Sequence, residues 1–359
     1  MTPNKLVTPH GALALPVYLP DATRAVVRGL DSDDLERCAV PGLVMSTFHL
    51  MQQPGSSTIK ALGGAHRFAG WKRPIITDSG GFQIYSLIRQ NSKYGSITDK
   101  GAIFRDENGR KYNLTPEKSI QLQMSFGGDV LICLDDPTHV DDPPAEQALS
   151  VRRTLAWARR CKSEFERLLQ DKDVAPDARP QLFAVVQGGR DEALRRECAQ
   201  ALLDMGFDGF GYGGWPLDAD GNLVADMLAL LRELIPTQYP LHALGVGHPA
   251  NIVTGVKLGY GIFDSAMPTR DARHGRLYFL TGEAINAAQA AWFEYVYVED
   301  AKHIKSTRPL FDFPDSPWGG RYTLGYLKHL FDIKDTLAYR LATLHNLTFM
   351  QYLMAKLAS

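Results

Sequence analysis

Short apolar runs recur along the first three quarters of the chain, and most stop at a polar residue or a Gly-rich turn. The eight runs are Val17 to Pro20, Leu43 to Met45, Pro74 to Thr77, Val130 to Leu134, Leu182 to Val186, Phe210 to Gly214, Ala243 to Val246, and Ile262 to Phe263. Segments with helical spacing of apolar residues separate most of them, among them Glu146 to Leu169, Asp191 to Met205 and Leu223 to Leu234. The pattern predicts strands that alternate with helices.

Alternating strands and helices imply parallel pairing with right-handed crossovers, and eight such units close naturally into a (β/α)8 barrel. A doubly wound open sheet is the main rival. The barrel is favoured because Asp78, Asp135, Gln187 and Asp264 all fall just after predicted strands, on the face where barrel active sites are built. The alternative is that these residues have no catalytic role and are polar only because the loops at strand ends are exposed to solvent.

Two segments break the alternation. Between Ser86 and Pro116, Ile103 to Arg105 and Lys111 to Asn113 flank an Asn-Gly turn, which predicts a β-hairpin inserted at about residues 88–115. The hairpin is either a lid or substrate guide beside Asp78 or an addition without a function.

After about residue 282 the alternation of predicted strands and helices ends. This change predicts a catalytic barrel over residues 1–282 and a helical C-terminal subdomain over residues 283–359. Phe311 to Gly320 is an irregular Pro/Gly-rich loop. Tyr322 to Leu357 is predicted to be mostly helical, with Leu337, Leu341, Leu344 and Met350 as an inward stripe.

Composition narrows the class of protein. The 359 residues include 45% hydrophobic and 22% charged residues, and the formal net charge is -1. Any nucleic-acid binding must therefore come from a local patch. The N-terminus does not resemble a secretory signal and no apolar run approaches the roughly 20 residues of a membrane span, so we expect a cytoplasmic protein that does not bind membranes. Cys38, Cys133, Cys161 and Cys198 form no C-x-x-C pair and are expected to be reduced packing residues.

The stretch from Gly261 to Arg276 is the strongest candidate for chemistry. Asp264 ends a buried apolar run, where a carboxylate is either reactive or tightly paired. Four basic residues follow within twelve positions and suit a phosphate-bearing substrate, namely Arg270, Arg273, His274 and Arg276. The alternative is an aspartate that caps the next helix or pairs with Arg270.

Several motifs carry a resemblance to a known family. They are TPHGALALPVYLP near the N-terminus, ITDSGGFQIYSL at Ile76 to Leu87, VVQGG at Val185 to Gly189, GFDGFGYGG at Gly206 to Gly214, LGVGHP at Leu244 to Pro249, and FDSAMPTRDARHGRLYF at Phe263 to Phe279. In this order and spacing they resemble the tRNA-guanine transglycosylases. That family is a (β/α)8 barrel that exchanges guanine in tRNA for a 7-deazaguanine without cutting the backbone.

The resemblance implies roles for individual residues. Asp264 matches the nucleophile that attacks the ribose anomeric carbon, and Asp78 matches the general acid/base. This pairing suits displacement at a sugar carbon, whose oxocarbenium-like transition state a carboxylate stabilises and then traps. The implied base-binding residues are Phe82, which stacks on the base, Asp135 and Gln187, which bind its edge, and Gly213, Gly214, Trp215 and Leu244. Arg270 and Arg273 are expected to grip phosphates beside the flipped nucleotide.

The sequence departs from the family at two places. After Gly214, where bacterial members resemble G-G-L-A-V-G-E, the chain has Trp215 at the Leu position and Ala219 at the Glu position. In the family this loop contacts the 7-substituent of the incoming base, so the resemblance does not determine which 7-substituted base is used. The family's C-x-C-x-x-C zinc ligands are replaced by Pro314, Ser316 and Gly319, and only His345 remains. We therefore expect no zinc and no other cofactor, with His345 hydrogen-bonded to the Pro/Gly-rich loop.

The leading hypothesis is tRNA-guanine exchange, with tRNA and a guanine or 7-deazaguanine base as partners. Insertion of 7-deazaguanines into DNA and a non-catalytic binding subunit are the alternatives. Tyr322, Tyr326 and His329 fall at helical spacing, and the matching region of the family forms a two-fold dimer interface. A homodimer is thus expected, unless these side chains pack on the barrel.

Overall fold

The fold is taken from a computed structural model, which describes residues 3–106, 108–282, 292–314 and 316–358. Its strands, in chain order, are β1 (Lys5–Thr8), β2 (Gly11–Ala14), β3 (Val17–Pro20), β4 (Leu43–Met45), β5 (Ile75–Thr77), β6 (Gly95–Thr98), β7 (Gly101–Arg105), β8 (Lys111–Leu114), β9 (Val130–Ile132), β10 (Gln181–Val186), β11 (Gly209–Tyr212), β12 (Leu241–Ala243), β13 (Ile262–Ser265), β14 (Arg276–Leu280) and β15 (Phe293–Tyr297).

The helices in the described part of the chain are α1 (Ser32–Arg37), α2 (Thr47–Gln52), α3 (Ser56–Ala61), α4 (Gly64–Ala69), α5 (Gly81–Gln90), α6 (Pro116–Phe126), α7 (Pro144–Asp171), α8 (Glu192–Met205), α9 (Ala225–Leu234), α10 (Pro249–Lys257), α11 (Met267–Arg273), α12 (Leu324–Asp332) and α13 (Thr336–Ala358). No described helix is long and apolar enough to cross a membrane.

Eight parallel strands form the predicted barrel in the order β3-β13-β12-β11-β10-β9-β5-β4. The two ends of this sheet meet at a parallel bridge between Asp21 and Val44, where the Ala22 amide donates to the Val44 carbonyl over 2.7 Å. The carboxyl ends of all eight strands therefore point to one rim, which is where the loops of a barrel build an active site.

Local sequence signals explain where the barrel helices begin. The Thr115 side chain accepts a hydrogen bond from the Lys118 amide at the start of α6, where Pro116 occupies the first turn. Asp191 caps α8 in the same way by accepting from the Leu194 amide. Such caps satisfy amides that have no partner within the helix.

The barrel interior is an apolar layer that includes Leu19, Val44, Ile76, Val185 and Ile262. Successive side chains of a strand point to opposite faces, so the residue two positions further along again faces inward. At that next position stand Asp21, Ser46, Asp78, Gln187 and Asp264. The period of the strands thus gathers a ring of polar side chains above the apolar layer at the carboxyl rim.

The insertion after β5 is larger than the predicted hairpin. The strands β6, β7 and β8 form a three-stranded antiparallel sheet, of which β7 and β8 are the predicted pair. Phe104 on β7 is fully buried and its ring lies 5.0 Å from that of Phe48 on α2. The Trp157 indole on α7 donates to the Asp99 carbonyl over 2.9 Å. These contacts fix the sheet to the barrel helices.

The C-terminal segment covers the barrel. Helix α13 packs against α11 and β3, and Gln351 donates to the Tyr18 carbonyl over 3.2 Å. Of the predicted inward stripe, Leu341, Leu344 and Met350 are fully buried, and so are side chains on the other faces of the helix. The predicted domain boundary after residue 282 adjoins residues 283–291, which lie outside the described part of the chain.

Candidate active site

A cavity of about 150 Å³ opens at the carboxyl rim of the barrel. It brings together three of the predicted site residues, Asp78, Asp264 and Leu244, with Asp21 and His242 also in its wall. The other predicted residues lie outside this cavity wall, namely Phe82, Asp135, Gln187, Gly213, Gly214, Trp215, Arg270 and Arg273. The two candidate catalytic carboxylates therefore share one space.

Asp264 lies on β13 and is held through one oxygen. His242 Nε2 lies 2.8 Å from Asp264 Oδ1, and the Gly245 amide donates to the same oxygen over 3.0 Å. The other oxygen, Oδ2, has no hydrogen-bond donor among the described residues. This arrangement orients the carboxylate and leaves one oxygen open to a substrate. It also excludes the capping and Arg270-pairing alternatives within the described chain.

His242 on β12 is a functional candidate that the sequence did not reveal. Its side chain is fully buried, and donation to Asp264 requires the proton on Nε2. Nδ1 is buried without a hydrogen-bond partner in the described part of the chain. An unsatisfied buried polar atom costs about 1–3 kcal/mol. A side chain kept at that cost beside Asp264 is better explained by orienting the carboxylate than by stabilising the fold.

Asp78 accepts hydrogen bonds through both oxygens. The Thr47 and Gly80 amides donate to Oδ1 over 2.8 and 3.1 Å, and Gln83 Nε2 donates to Oδ2 over 2.9 Å. Burial raises the pKa of Asp78 to about 7, although the hydrogen bonds from Thr47 and Gln83 oppose the rise, and the charge of Asp21 adds to it. A carboxyl group with a pKa near neutrality suits proton transfer in both directions.

Asp135 and Gln187 form a second, adjoining group. Gln187 Nε2 donates to Asp135 Oδ2 over 2.7 Å, and burial raises the pKa of Asp135 to about 7. Gln187 Oε1 is buried and lacks a donor among the described residues. Gly213 lies so close to Gln187 that a Cβ would approach its amide carbon to 2.7 Å. Gly214 has a φ of +88°, and its amide has no acceptor in the described part of the chain.

Phe82 and Trp215 face each other outside the cavity. Their ring centroids are 5.3 Å apart at an angle of 43°. Both aromatic residues are exposed to solvent, with 42% of Phe82 and 37% of Trp215 accessible. Exposed aromatic pairs beside a polar pocket offer stacking surfaces for a base.

Arg270 and Arg273 lie in the last turn of α11, directly after β13. Neither forms an ion pair with a carboxylate of the described chain, whereas Arg276 is bound to Asp271 over 2.6 Å. Burial lowers the pKa of Arg273, as do the neighbouring charges of Arg28 and Arg270, while Asp21 raises it. The rim beside Asp264 therefore carries positive charge that is open to an anion.

His345 is the one residue of this chain that the family resemblance assigns to a zinc site. His345 is fully buried, its Nε2 lies 2.8 Å from the Tyr278 carbonyl, and its Nδ1 contacts the Leu310 carbonyl. Burial lowers the pKa of His345 to about 4, although the two carbonyls favour the charged ring. A metal ligand needs a nitrogen lone pair directed at the ion, and both nitrogens face carbonyl oxygens instead. Pro314, Ser316 and Gly319, at the positions that the resemblance assigns to the other ligands, have no thiolate to offer, so these residues do not fit zinc.

One cluster of ligand-type side chains lies at the opposite end of the barrel. His10, His66 and Asp129 place one ligand atom each within 4.8 Å of the others. Asp129 also accepts the Ile75 and His10 amides over 2.8 and 3.0 Å, and the two imidazole rings stack 3.6 Å apart. These bonds join the β1–β2 hairpin to the barrel, which is a structural role.

Fold and site together define a (β/α)8-barrel protein with two inward carboxylates in one cavity at its carboxyl rim. Residues 4–358 match the TGT family, described as queuine tRNA-ribosyltransferase. The chain is 36% identical over 355 residues to the queuine tRNA-ribosyltransferase of Halothermothrix orenii. The alignment covers 99% of this chain and 88% of that protein. It is 37% identical over 353 residues to that of Desulfosudis oleivorans, covering 96% and 85% respectively.

The chain belongs to the queuine tRNA-ribosyltransferase family and is therefore a pentosyltransferase. The match reaches residue 358, so it includes the C-terminal region, which contains no cysteine.

Proposed function

We propose that this protein exchanges a guanine base of tRNA for a 7-deazaguanine through a covalent intermediate on Asp264. The observation that carries the assignment is the shared cavity of Asp264 and Asp78, in which Asp264 Oδ2 is the open oxygen. Two carboxylates around one sugar carbon are the arrangement that displacement through an oxocarbenium-like transition state requires.

In the first half-reaction, Asp264 Oδ2 attacks C1′ of the target nucleotide, the glycosidic bond breaks, and guanine leaves with its electron pair. The protonated Asp78 supplies the proton that neutralises the leaving base. In the second half-reaction, Asp78 takes a proton from the incoming base, whose ring nitrogen attacks C1′ and releases Asp264. Each proton that Asp78 gives is recovered, so the cycle balances without a cofactor.

Base recognition is assigned to the adjoining group. Guanine presents N–H donors at N1 and N2, which suit the Asp135 carboxylate, and a carbonyl oxygen, which suits the Gln187 amide and the Gly214 N–H. The base would compete with the Asp135 to Gln187 hydrogen bond, and it would stack on Phe82. Gly213, Trp215 and Leu244 are assigned to the pocket wall, and Arg270 and Arg273 to phosphates.

We also propose that the protein is a homodimer without zinc and that its location is the cytoplasm. The dimer proposal is supported by the exposed Tyr326 and His329 on α12, and the proposal about zinc by the hydrogen bonds of His345. Insertion of 7-deazaguanine into DNA and a non-catalytic role are not favoured by the comparisons, whose relatives are named as tRNA-ribosyltransferases.

The direct test is base exchange with labelled guanine. The purified protein is incubated with unmodified tRNA and, in parallel, with single-stranded DNA of the same sequence. We expect label to enter the tRNA and remain low in the DNA. Label that enters neither would contradict the enzyme assignment, and label that enters only DNA would contradict the choice of polymer.

A further inference from the structure

A third carboxylate, Asp21, faces the cavity that Asp78 and Asp264 share. Strand β3 pairs with β13 so that Leu19 lies opposite Asp264, and Asp21 is the next residue on the same inward face. Adjacent strands lie about 5 Å apart and two residues of a strand rise about 7 Å, so Asp21 stands beside Asp264 and roughly one sugar ring nearer to the rim.

The order of strands around the barrel separates the base from the sugar. Gln187 follows β10, Gly213 and Gly214 follow β11, and Asp264 lies on β13, so the base-binding group occupies one side of Asp264. Asp21 follows β3, on the other side of β13. A nucleotide with its base toward β10 and its C1′ at Asp264 must extend its ribose toward β3.

Positive charge marks the same side of the rim. Arg24 and Arg28 follow β3 and are exposed, and Arg270 and Arg273 follow β13. None of the four forms an ion pair with a carboxylate among the described residues. Arg28, Arg270 and Asp21 are the charges that act on Arg273. Phosphates on either side of the target nucleotide would therefore meet arginines directly above Asp21.

We propose that Asp21 accepts a hydrogen bond from the 2′-hydroxyl of the target nucleotide and thereby selects RNA over DNA; the inference rests on the proposed base exchange at Asp264. Within a polynucleotide the 3′ and 5′ oxygens are esterified, so the 2′-hydroxyl is the sole hydroxyl donor that the ribose retains. It is attached to the carbon next to C1′, which places it within reach of a carboxylate beside the nucleophile.

The carboxylate of Asp21 is oriented by a hydrogen bond and still has free acceptor positions. The hydroxyl of Thr23 donates to it over 2.5 Å, and this bond orients the group within the cavity wall. A carboxylate has about four acceptor positions, so one hydroxyl leaves room for another. Burial raises the pKa of Asp21, the Thr23 hydroxyl opposes the rise, and a ribose hydroxyl would oppose it further. A ring of arginines without this carboxylate would bind RNA and DNA backbones alike.

The test compares two tRNA molecules that differ at one atom, the 2′-oxygen of the exchanged guanosine. Rates of labelled-guanine exchange are measured for wild type, Asp21→Ala, Asp21→Asn and, as a matched control, Asp33→Ala at an exposed position on α1. The ribose-to-deoxyribose rate ratio is the readout. Comparing this ratio between variants cancels the intrinsic difference in reactivity between the two sugars, because every variant meets the same pair of substrates.

We expect Asp21→Ala to lower this ratio by about 10- to 100-fold, the effect of one hydrogen bond to a charged group. Asp21→Asn should lower it less, since the amide oxygen still accepts, and Asp33→Ala should leave it unchanged. Equal slowing of both substrates would overturn the inference and assign Asp21 to chemistry or folding. No exchange by the wild type on any tRNA would overturn the proposed function, and this inference with it.

Discussion

Asp264 is oriented through Oδ1 alone, by one imidazole and one backbone amide. Two donors on one oxygen fix the plane of the carboxylate while Oδ2 stays accessible. A nucleophile held in this way loses little rotational freedom when it reacts. The same hydrogen bonds would be retained by an asparagine through its amide oxygen, so the residue can be tested without collapse of its surroundings.

Asp264→Asn is therefore expected to fold normally and to lose exchange by several orders of magnitude, because an amide is a poor nucleophile. The covalent adduct between protein and tRNA, seen on denaturing gels, should disappear as well. Asp33→Asn serves as the control at an exposed site. A near-normal rate for Asp264→Asn would show that another group attacks C1′.

Asp78 determines a pH dependence with a definite sign. Its pKa is raised to about 7, so the group loses its proton as the pH rises through neutrality. Formation of the adduct needs the protonated group to assist the departure of guanine, and it should slow above that pH. Asp78→Asn should remove this pH dependence and lower the rate by about 10²- to 10⁴-fold, with less effect on tRNA binding.

Single-turnover adduct formation on both sides of neutral pH measures this effect. Asp135 has a similar pKa of about 7 but acts in the opposite direction, because its charged form accepts the N–H groups of guanine. Asp135→Asn should therefore weaken base binding and leave the slowing at high pH in place. If the rate of adduct formation still falls at high pH in Asp78→Asn, the titrating group is a different one.

At the scale of elements, the loop after β11 sets the expected choice of incoming base. Trp215 begins the loop, and Ala219 is exposed at the tip of a turn closed by the bridge between Leu217 and Leu223. The neighbouring carboxylate of Asp218 is engaged, since its Oδ1 accepts the Asp220 and Asn222 amides over 3.0 and 2.8 Å. Position 219 of the loop thus offers no carboxylate to a cationic 7-substituent.

We expect weak preference for an aminomethyl 7-deazaguanine over guanine or a neutral analogue. Ala219→Glu should shift the preference toward the cationic base by about 10-fold, as expected for a new charge-assisted contact. Ala219→Gln is the matched control, because it has a similar size without the charge. Competition kinetics measure the preference, and strong selectivity of the wild type for the cationic base would contradict the prediction.

The C-terminal region packs aromatic rings around the one residue that the family resemblance assigns to a zinc site. Phe279, Phe311 and Phe313 surround the imidazole of His345, with ring centroids 4.5, 5.9 and 5.1 Å away. Arg37 lies 4.2 Å above the Trp318 ring and donates to the Pro317 carbonyl. Under the proposal that zinc is absent, burial of these aromatic rings supplies the stability that a zinc site would otherwise contribute.

Protein purified without a histidine tag is accordingly expected to contain far less than one zinc per chain. A chelator should leave the melting temperature unchanged, because no described ligand set in this region can hold the ion. Zinc that is stoichiometric and resists dialysis would show that other residues complete a site around His345.

The sequence predicted the barrel strands well because each is a short apolar run with a polar end. β12 is the exception, because the apolar pattern predicts a strand from Ala243 to Val246, whereas the strand is Leu241–Ala243. The cause is His242, an inward polar side chain that interrupts the apolar pattern of a buried strand. The same feature explains why His242 was missed, since a lone histidine in a strand carries no signal of the carboxylate it binds.

Other misses have similar physical causes. Strand β6 has the sequence GSIT, with a single apolar residue, and it is stabilised by pairing with β7 rather than by its own pattern. The one-sided stripe predicted for α13 was too narrow, because this helix is covered on several faces and its apolar residues lack a preferred side. Tertiary contacts decide such elements, and local pattern does not record them.

At the scale of the whole molecule, the barrel leaves one helix face without a partner in the described chain. Leu324, Leu327 and Leu330 of α12 are buried against the protein. The opposite face presents Tyr322 and Tyr326, whose rings stack 5.8 Å apart, together with His329 and Ile333. Tyr326 is 41% exposed and His329 is also exposed, so the alternative that these side chains pack on the protein does not hold for them, whereas Tyr322 is partly buried against the core.

A helix face of this kind suits a two-fold interface, in which the same patch meets itself in the second copy. A stable dimer buries about 1,200 Å² or more in total, so α12 must act with neighbouring surface. We expect light scattering at micromolar concentration to give a dimer. Tyr326→Lys should shift it to monomer by placing two like charges across the axis, whereas Val7→Lys, at an equally apolar exposed site on β1, should not. A wild-type monomer would contradict the prediction, and a dimer that persists in Tyr326→Lys would move the interface to another face of the barrel.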